Sequence, residues 1–225
     1  EIFTVKATDS AGAEVTQQVT VTVTGTNDVP VISGTATGAV GEDGTLTAQG
    51  ALTASDADVG DTATWSVVGN DSGQYGELTL NPDGSWSYAL DNDAAQGLKA
   101  GETVQEIFTV KATDSEGASV TQQVTVTVTG TNDVPVISGT ATGTVGEDGT
   151  LTAQGALTAS DADVGDTASW SVVGNDAGQY GELTLNPDGS WSYALDNDAA
   201  NVQALGKGDT AQDIFTVQVT DASGA

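Results

Sequence analysis

The chain repeats itself, and that repeat limits its fold more than any other feature. Residues 1–95 align with residues 106–200 without a gap, at a shift of 105. They differ at five positions: Ala11/Glu116, Glu14/Ser119, Ala39/Thr144, Thr64/Ser169 and Ser72/Ala177. All five are small or polar positions, as expected at a surface. After Ala200 the second copy is two residues longer, with Asn201–Asp213 standing against Gln96–Glu106. The tail Asp213–Ala225 then repeats Glu1–Ala13. A fixed period of this kind marks a tandem array. Near-identical neighbours suit a spacer, in which copy number matters more than individuality, better than an enzyme. Recent duplication without consequence is the bland alternative.

The punctuation of the array is Gly25-Thr26-Asn27-Asp28-Val29-Pro30, which returns as Gly130-Thr131-Asn132-Asp133-Val134-Pro135. Proline keeps the preceding residue out of the helical region and favours an extended exit, so this stretch reads as a hinge. The phase that follows gives residues 1–28 as the closing strands of one unit. Residues 29–133 form a complete unit, and residues 134–225 a unit lacking its last strand. Glu1 reads as the start of a window from a longer chain.

The side chains within one unit alternate. Val124, Val126 and Val128 share one face and Thr125, Thr127 and Thr129 the other, which predicts the clearest strand, over Val120–Thr129. Ala63, Trp65 and Val67 line one face of a second strand. Glu77–Leu80 and Ser85–Leu90 flank Asn81-Pro82-Asp83-Gly84, a strong turn that predicts a β-hairpin. Further strands are expected over Val29–Thr37, over Thr45–Thr53 (broken by Gly50) and over Glu106–Thr113, with a helical turn near Asp93–Leu98. About seven short strands without a long helix predict an all-β chain of tandem immunoglobulin-like antiparallel sandwiches joined by short linkers. A small barrel is the runner-up. Trp65 and Trp86 read as core residues, since inward alternation explains both without an aromatic sugar platform.

Composition narrows the function. The 225 residues hold 32 Asp and Glu against 4 Lys, with no Arg, Cys, His or Met. Zinc sites of the Cys/His kind and His- or Cys-dependent catalysis are excluded. So are nucleic acid and anionic membrane surfaces, which require basic patches. No disulfide is available as a staple. At most four carboxylates find a lysine, so most are solvated or hold metal.

The acids cluster at turns. Ser55-Asp56-Ala57-Asp58-Val59-Gly60-Asp61 is the densest set. In an extended segment Asp56 and Asp58 project to one side, and Gly60 turns the chain back to bring Asp61 near. Such oxygens at a tight turn suit Ca2+, which takes six to eight. Gly41-Glu42-Asp43-Gly44 is a second set, and Asn27-Asp28 with Asp9 a third. The recurring candidates are Asp114, Asn132, Asp133, Glu147, Asp148, Asp161, Asp163 and Asp166. An acidic, solvated surface is the competing reading. Asp91-Asn92-Asp93 and Asp196-Asn197-Asp198 are weaker, because a cap for the following turn explains them equally well.

Val-Gly-Glu-Asp-Gly-Thr-Leu, Ala-Ser-Asp-Ala-Asp, Gly-Glu-Leu-Thr-Leu-Asn-Pro-Asp-Gly-Ser-Trp-Ser-Tyr and Gly-Thr-Asn-Asp-Val-Pro-Val resemble the VCBS and cadherin-like bacterial repeats of giant RTX-type adhesins. The resemblance covers essentially the whole chain. It implies immunoglobulin-like sandwiches, calcium at interdomain linkers, type I secretion to the cell surface, and a role in attachment and biofilm. Carried over, it groups Asp9, Asn27, Asp28, Glu42, Asp56 and Asp58 at the first hinge. The glycine-rich nonapeptide of RTX tails is absent, so the stretch is expected to belong to a stalk, with neighbouring repeats, or other copies in a fibre, as its partners. Competing readings are a glycan-binding module using Tyr75 and Tyr180, a strand-exchanging filament in which residues 14–25 complete a neighbouring copy, and a carboxylate-pair glycosidase, which the lack of any evident cleft disfavours.

Overall fold

The computed structural model describes residues 1–225. The chain opens with a hairpin, β1 (Ile2–Thr8) and β2 (Glu14–Thr20), whose side chains are all exposed. A complete unit follows: β3 (Val31–Gly34), β4 (Thr37–Gly41), β5 (Thr47–Ser55), β6 (Thr64–Val68), β7 (Gly76–Leu80) and β8 (Ser85–Leu90), the short helix α1 (Asn92–Ala95), β9 (Thr103–Thr113) and β10 (Ser119–Thr129). The last part holds β11 (Val136–Gly139), β12 (Thr152–Ser160), β13 (Ser169–Val173), β14 (Gly181–Leu185), β15 (Ser190–Leu195), α2 (Ala200–Gln203) and β16 (Thr216–Thr220). No helix is long and apolar enough to cross a membrane.

The complete unit is the two-sheet sandwich expected, with eight strands where about seven were read. One sheet has the order β3-β5-β8-β7 and the other β4-β10-β9-β6. Leu52, Leu78, Trp86, Tyr88 and Leu90 of the first sheet close on Val40, Phe108, Val110, Val124, Val126 and Val128 of the second. The alternation of β10 holds: Val124, Val126 and Val128 are fully buried and its threonines face away.

The segment read as one strand over Val29–Thr37 is divided between the sheets. The chain crosses from β3 to β4 at Gly34, whose φ of +115° and close approach to the carbonyl of Ala51 both require glycine. β4 then pairs with β10 in parallel, Thr37 with Thr125 and Gly41 with Thr129, the one parallel ladder in the fold. That pairing carries the residues after β4 to the far end of the unit.

Trp86 explains Gly50. A Cβ at Gly50 would stand 2.5 Å from the indole ring, so the strand thins to admit it. The indole N–H donates to the carbonyl of Thr35 at 2.7 Å. Trp86→Ala is expected to destabilise the unit by about 3–5 kcal/mol, read as a lower denaturant midpoint. Trp65 is half-buried against the same core, so both tryptophans are structural. Tyr75 is also half-buried and packs on this core, in place of the exposed loop position expected of a sugar-binding aromatic.

The last part repeats only some of this. The sheet β11-β12-β15-β14 reproduces the first sheet, and the β13-β16 pair reproduces β6-β9. Counterparts of β4 and β10 are absent, although Thr142–Gly146 carries nearly the sequence of β4. Within residues 134–225 no strand pairs with that segment in parallel, and it forms no strand. The buried cluster falls from 14 residues to 3, Leu157, Leu183 and Trp191.

Candidate metal centre

Each Asn-Asp linker is tied to the acidic turn of the unit that follows it. Asp28 N–H donates to Asp58 Oδ2 at 2.8 Å, and Asp133 N–H to Asp163 Oδ2 at 3.1 Å. Within the turns, Asp58 N–H bonds Asp56 Oδ1 and Asp163 N–H bonds Asp161 Oδ1, each at 2.9 Å. Gly60 and Gly165 turn the chain back with φ of +92° and +77°. The result at the first linker is Asp56, Asp58 and Asp61 with carboxylate oxygens within 4.8 Å of one another. At the second linker the corresponding set is Asp161, Asp166 and Asp221.

The turns beyond β9 and β16 complete these clusters. Asn27 Nδ2 donates to Asp114 Oδ2 at 3.1 Å, and Asn132 Nδ2 to Asp221 Oδ2 at 2.8 Å. Asp114 Oδ1 also accepts the backbone N–H groups of Glu116, Gly117 and Ala118. Burial opposes its ionisation, but these hydrogen bonds outweigh it and hold the carboxyl below the usual range. Asp221 is likewise held low, first by Asn132 and then by the N–H groups of its own turn.

The second junction gains acids from the preceding unit. Thr131 N–H donates to the buried Glu42 at 3.0 Å, and Gln96 Nε2 donates to Glu42 Oε1 at 2.9 Å and to Asp43 Oδ1 at 3.2 Å. Asp43 adopts a left-handed φ of +53°, clamped by Asn92 through its backbone N–H at 2.9 Å and its carboxylate at 2.7 Å. Burial, together with Asp133, Asp43 and Asp163, pushes the Glu42 carboxyl above its usual value. Burial, then Asp163, Asp43 and Asp161, pushes Asp133 up in the same way.

Two placements differ from the grouping expected at the first hinge. Glu42 and Asp43 stand at the second linker, because the parallel β4–β10 ladder ends there. Asp9 lies in the β1–β2 turn, bonded to the N–H groups of Ala11 and Ala13, while β2 runs from that turn toward Asn27. The Asp9 position is occupied at the first junction by Asp114 and at the second by Asp221. Asp148 keeps the arrangement of Asp43, at φ +53° and clamped by Asn197, whereas Glu147 is only half-buried and accepts no counterpart of the bonds made to Glu42. Sequence reading missed Asp221, although it is the third copy of Asp9 and Asp114. It also left Asn92 between a weaker metal candidate and a cap, whereas the side chain of Asn92 clamps Asp43.

The donor set fits a hard cation. Six buried side-chain oxygens have no hydrogen-bond donor: Asp56 Oδ2, Asp61 Oδ2, Asn132 Oδ1, Asp133 Oδ2, Asp161 Oδ2 and Asp163 Oδ1. All are acceptors, and the amide of Asn132 spends its N–H donors elsewhere. Buried acceptors without a donor are destabilising, and converging carboxylates repel. One divalent ion among oxygens resolves both.

A family model for the bacterial cadherin-like domain matches residues 27–130 and 132–225. The chain belongs to the bacterial cadherin-like domain family. The cadherin-like chain is also 28% identical over 183 residues to the calcium-binding lectin RapA2 of Rhizobium johnstonii, covering 69% of this chain and 76% of that protein. Among solved structures, the EC1–4 fragment of the protocadherin PcdhgB3 superposes with a TM-score of 0.52 at 14% identity, over 98% of this chain and 63% of the other. Human CDH23 EC21–23 gives 0.50 at 17% identity, over 97% and 72%. At these identities the likeness is one of fold. The cadherin-like chain spans about half to two thirds of most of these longer fragments, 56% for protocadherin gamma B7 EC1–4.

Proposed function

We propose that this cadherin-like chain is an adhesion-type extracellular module, one stretch of the stalk of a bacterial cell-surface adhesin. In this reading its junctions are stiffened by calcium. The observation that carries it is the set of six buried, donorless oxygens converging at two linkers. Asp56, Asp58, Asp61 and Asp114, with the Asn27–Asp28 linker, would hold the ion at the first junction. Asp161, Asp163, Asp166, Asp221, Asn132, Asp133 and Glu42 would do so at the second. Calcium supplies two positive charges and asks for several oxygens at once. The chain's own residues then act as tethers. Asp133 belongs to the linker, Asp161 and Asp221 to the following unit and Glu42 to the preceding one, so their shared engagement fixes one unit against the other. Secretion to the surface, a long fibre and biofilm attachment follow from the VCBS and RTX-adhesin resemblance.

The test is small-angle scattering in EDTA and in millimolar calcium. The maximum dimension is expected to lengthen and sharpen with calcium, and Asp161→Ala/Asp163→Ala is expected to remove the change at the second junction. Identical curves with and without calcium would sink the reading. A second reading, carbohydrate binding, draws on the description of RapA2 as a lectin. Glycan binding lost in Tyr75→Phe and Tyr180→Phe, which keep the packing of the half-buried rings, would favour it.

A further inference from the structure

We infer that the loop after α1 is a metal-independent docking element, seated on the acidic turn of the next unit and setting the orientation of the junction. This goes beyond the calcium reading, since the contact with the next unit is made by backbone carbonyls and not by carboxylates. Val164 N–H donates to the carbonyl of Gly97 at 3.2 Å. Lys99 Nζ donates to the carbonyl of Gly165 at 3.4 Å. A Cβ at Gly97 would stand 2.9 Å from Val164 Cγ2, so only glycine permits this approach without a shift.

The docking loop is rigidly mounted. Ala95 and Leu98 are buried in the core of their own unit. Gly101 N–H bonds Gly130 O at 3.0 Å and Gly130 N–H bonds Glu102 O at 2.9 Å, which fixes the loop to the end of β10. Gln96 joins the same loop to Glu42. The receiving surface is an apolar side chain with a free N–H on a glycine turn, and its partner is the preceding unit of a like chain.

An internal control supports the assignment. Ser55–Ala63 and Ser160–Ala168 are identical in sequence. No α1-type loop faces the first of these turns, and there Val59 is fully exposed, whereas Val164 is 72% exposed. The loop of the last part is built differently. It is two residues longer, and Leu205 N–H bonds the carbonyl of Val202 as Leu98 N–H bonds that of Ala95, so the buried Val202 stands at the place of Ala95 and Ala204 at the place of Gly97. Gln203, at the place of Gln96, donates to the carbonyl of Asn197 at 2.8 Å. A unit with this loop presents Ala204 where the other presents Gly97, so junctions that follow the two loop types are expected to hold different angles.

Amide hydrogen exchange of the whole chain in EDTA tests the inference. The two turns have the same intrinsic exchange rates, and the Thr64/Ser169 difference separates their peptides by mass. Val164 is expected to exchange about two- to tenfold more slowly than Val59, the range that one solvent-accessible hydrogen bond supports. Gly97→Leu is expected to erase the difference. Lys99→Ala, which leaves the loop backbone intact, is expected to broaden the distance distribution between spin labels on the two units. Equal exchange at Val59 and Val164, or protection that survives Gly97→Leu, overturns the inference. Protection in EDTA without any response to calcium would uphold the docking loop and sink the calcium reading, so the two failures are distinguishable.

Discussion

Asp133→Asn is expected to melt no lower than the parent chain in EDTA and well below it in millimolar calcium. In the metal-free state this half-buried carboxyl has its Oδ2 enclosed, and that burial, with Asp163, Asp43 and Asp161 beside it, raises its pKa. A raised carboxyl favours folding only while it is protonated. Its contribution is therefore full below the ordinary carboxyl range of about 4. It is lost as pH rises through the raised value of the folded state, so near neutrality the ionised group works against the junction. The amide removes that repulsion. With calcium the order inverts, because asparagine offers a weaker oxygen. An ion at about 100 times its dissociation constant stabilises the folded state by about 2.7 kcal/mol, or about 10–20 °C for a unit of this size. Most of that gain is expected to disappear in the variant. Glu42 is raised by the same causes, so metal-free melts of the parent chain are expected to rise as pH falls from 7 toward 5. Further acid reverses this as Asp114, Asp213 and Asp221, all held low by hydrogen bonds, become protonated. A buried acid whose only role is structural would lower the melt in both media, and that outcome would remove Asp133 from the site.

The parts of the fold legible in the sequence were the local ones. Val124, Val126 and Val128 alternate strictly enough to place β10 and its buried face. Asn81-Pro82-Asp83-Gly84 set the β7–β8 hairpin, where Ser85 N–H bonds Asp83 Oδ1 at 2.9 Å and Gly84 takes φ +83°. Asp56, Asp58 and Asp61 met through backbone geometry alone. Assignment to one junction or the other depended on which end of the sandwich a residue reaches, and sequence distance misleads there. Glu42 is 15 residues from Asn27 and 89 from Thr131, yet it bonds Thr131, because β4 runs parallel to β10. Asp9 was separable from Asn27 in principle, since a strand leaving a hairpin turn travels about 3.3 Å per residue away from it. The clamp of Asn92 on Asp43 spans 49 residues and left no local trace.

The small core of residues 134–225 leads to the other large expected effect. A polypeptide extended after Ala225 by the sequence of Ser119–Gly130 is expected to melt in one transition, where residues 1–225 show a separate, earlier transition for the last part. The added strand would pair with β16 as β10 pairs with β9, and would offer a parallel edge to Thr142–Gly146 as β10 does to β4. Three inward valines would then close on Leu157, Leu183 and Trp191, where the complete unit buries 14 residues. Each valine contributes about 1.5–3 kcal/mol on burial, offset in part by the ordering of the added backbone. Threonine in place of the three inward valines (the copies of Val124, Val126 and Val128) keeps the strand's β propensity and backbone pairing but inserts hydroxyls into the core. If the extension acts through burial, the valine form unites the transitions and the threonine form does not. If both unite them, edge pairing alone stabilises the unit, and the small core of residues 134–225 has another cause. The same experiment bears on assembly. The β1–β2 hairpin carries exposed Ile2, Phe3, Val5, Val15 and Val19, and its continuation through Gly25 has nearly the sequence of the added strand. Concentration-dependent association of residues 1–225 that vanishes on extension would show that one copy's hairpin had been completing another copy's open sheet.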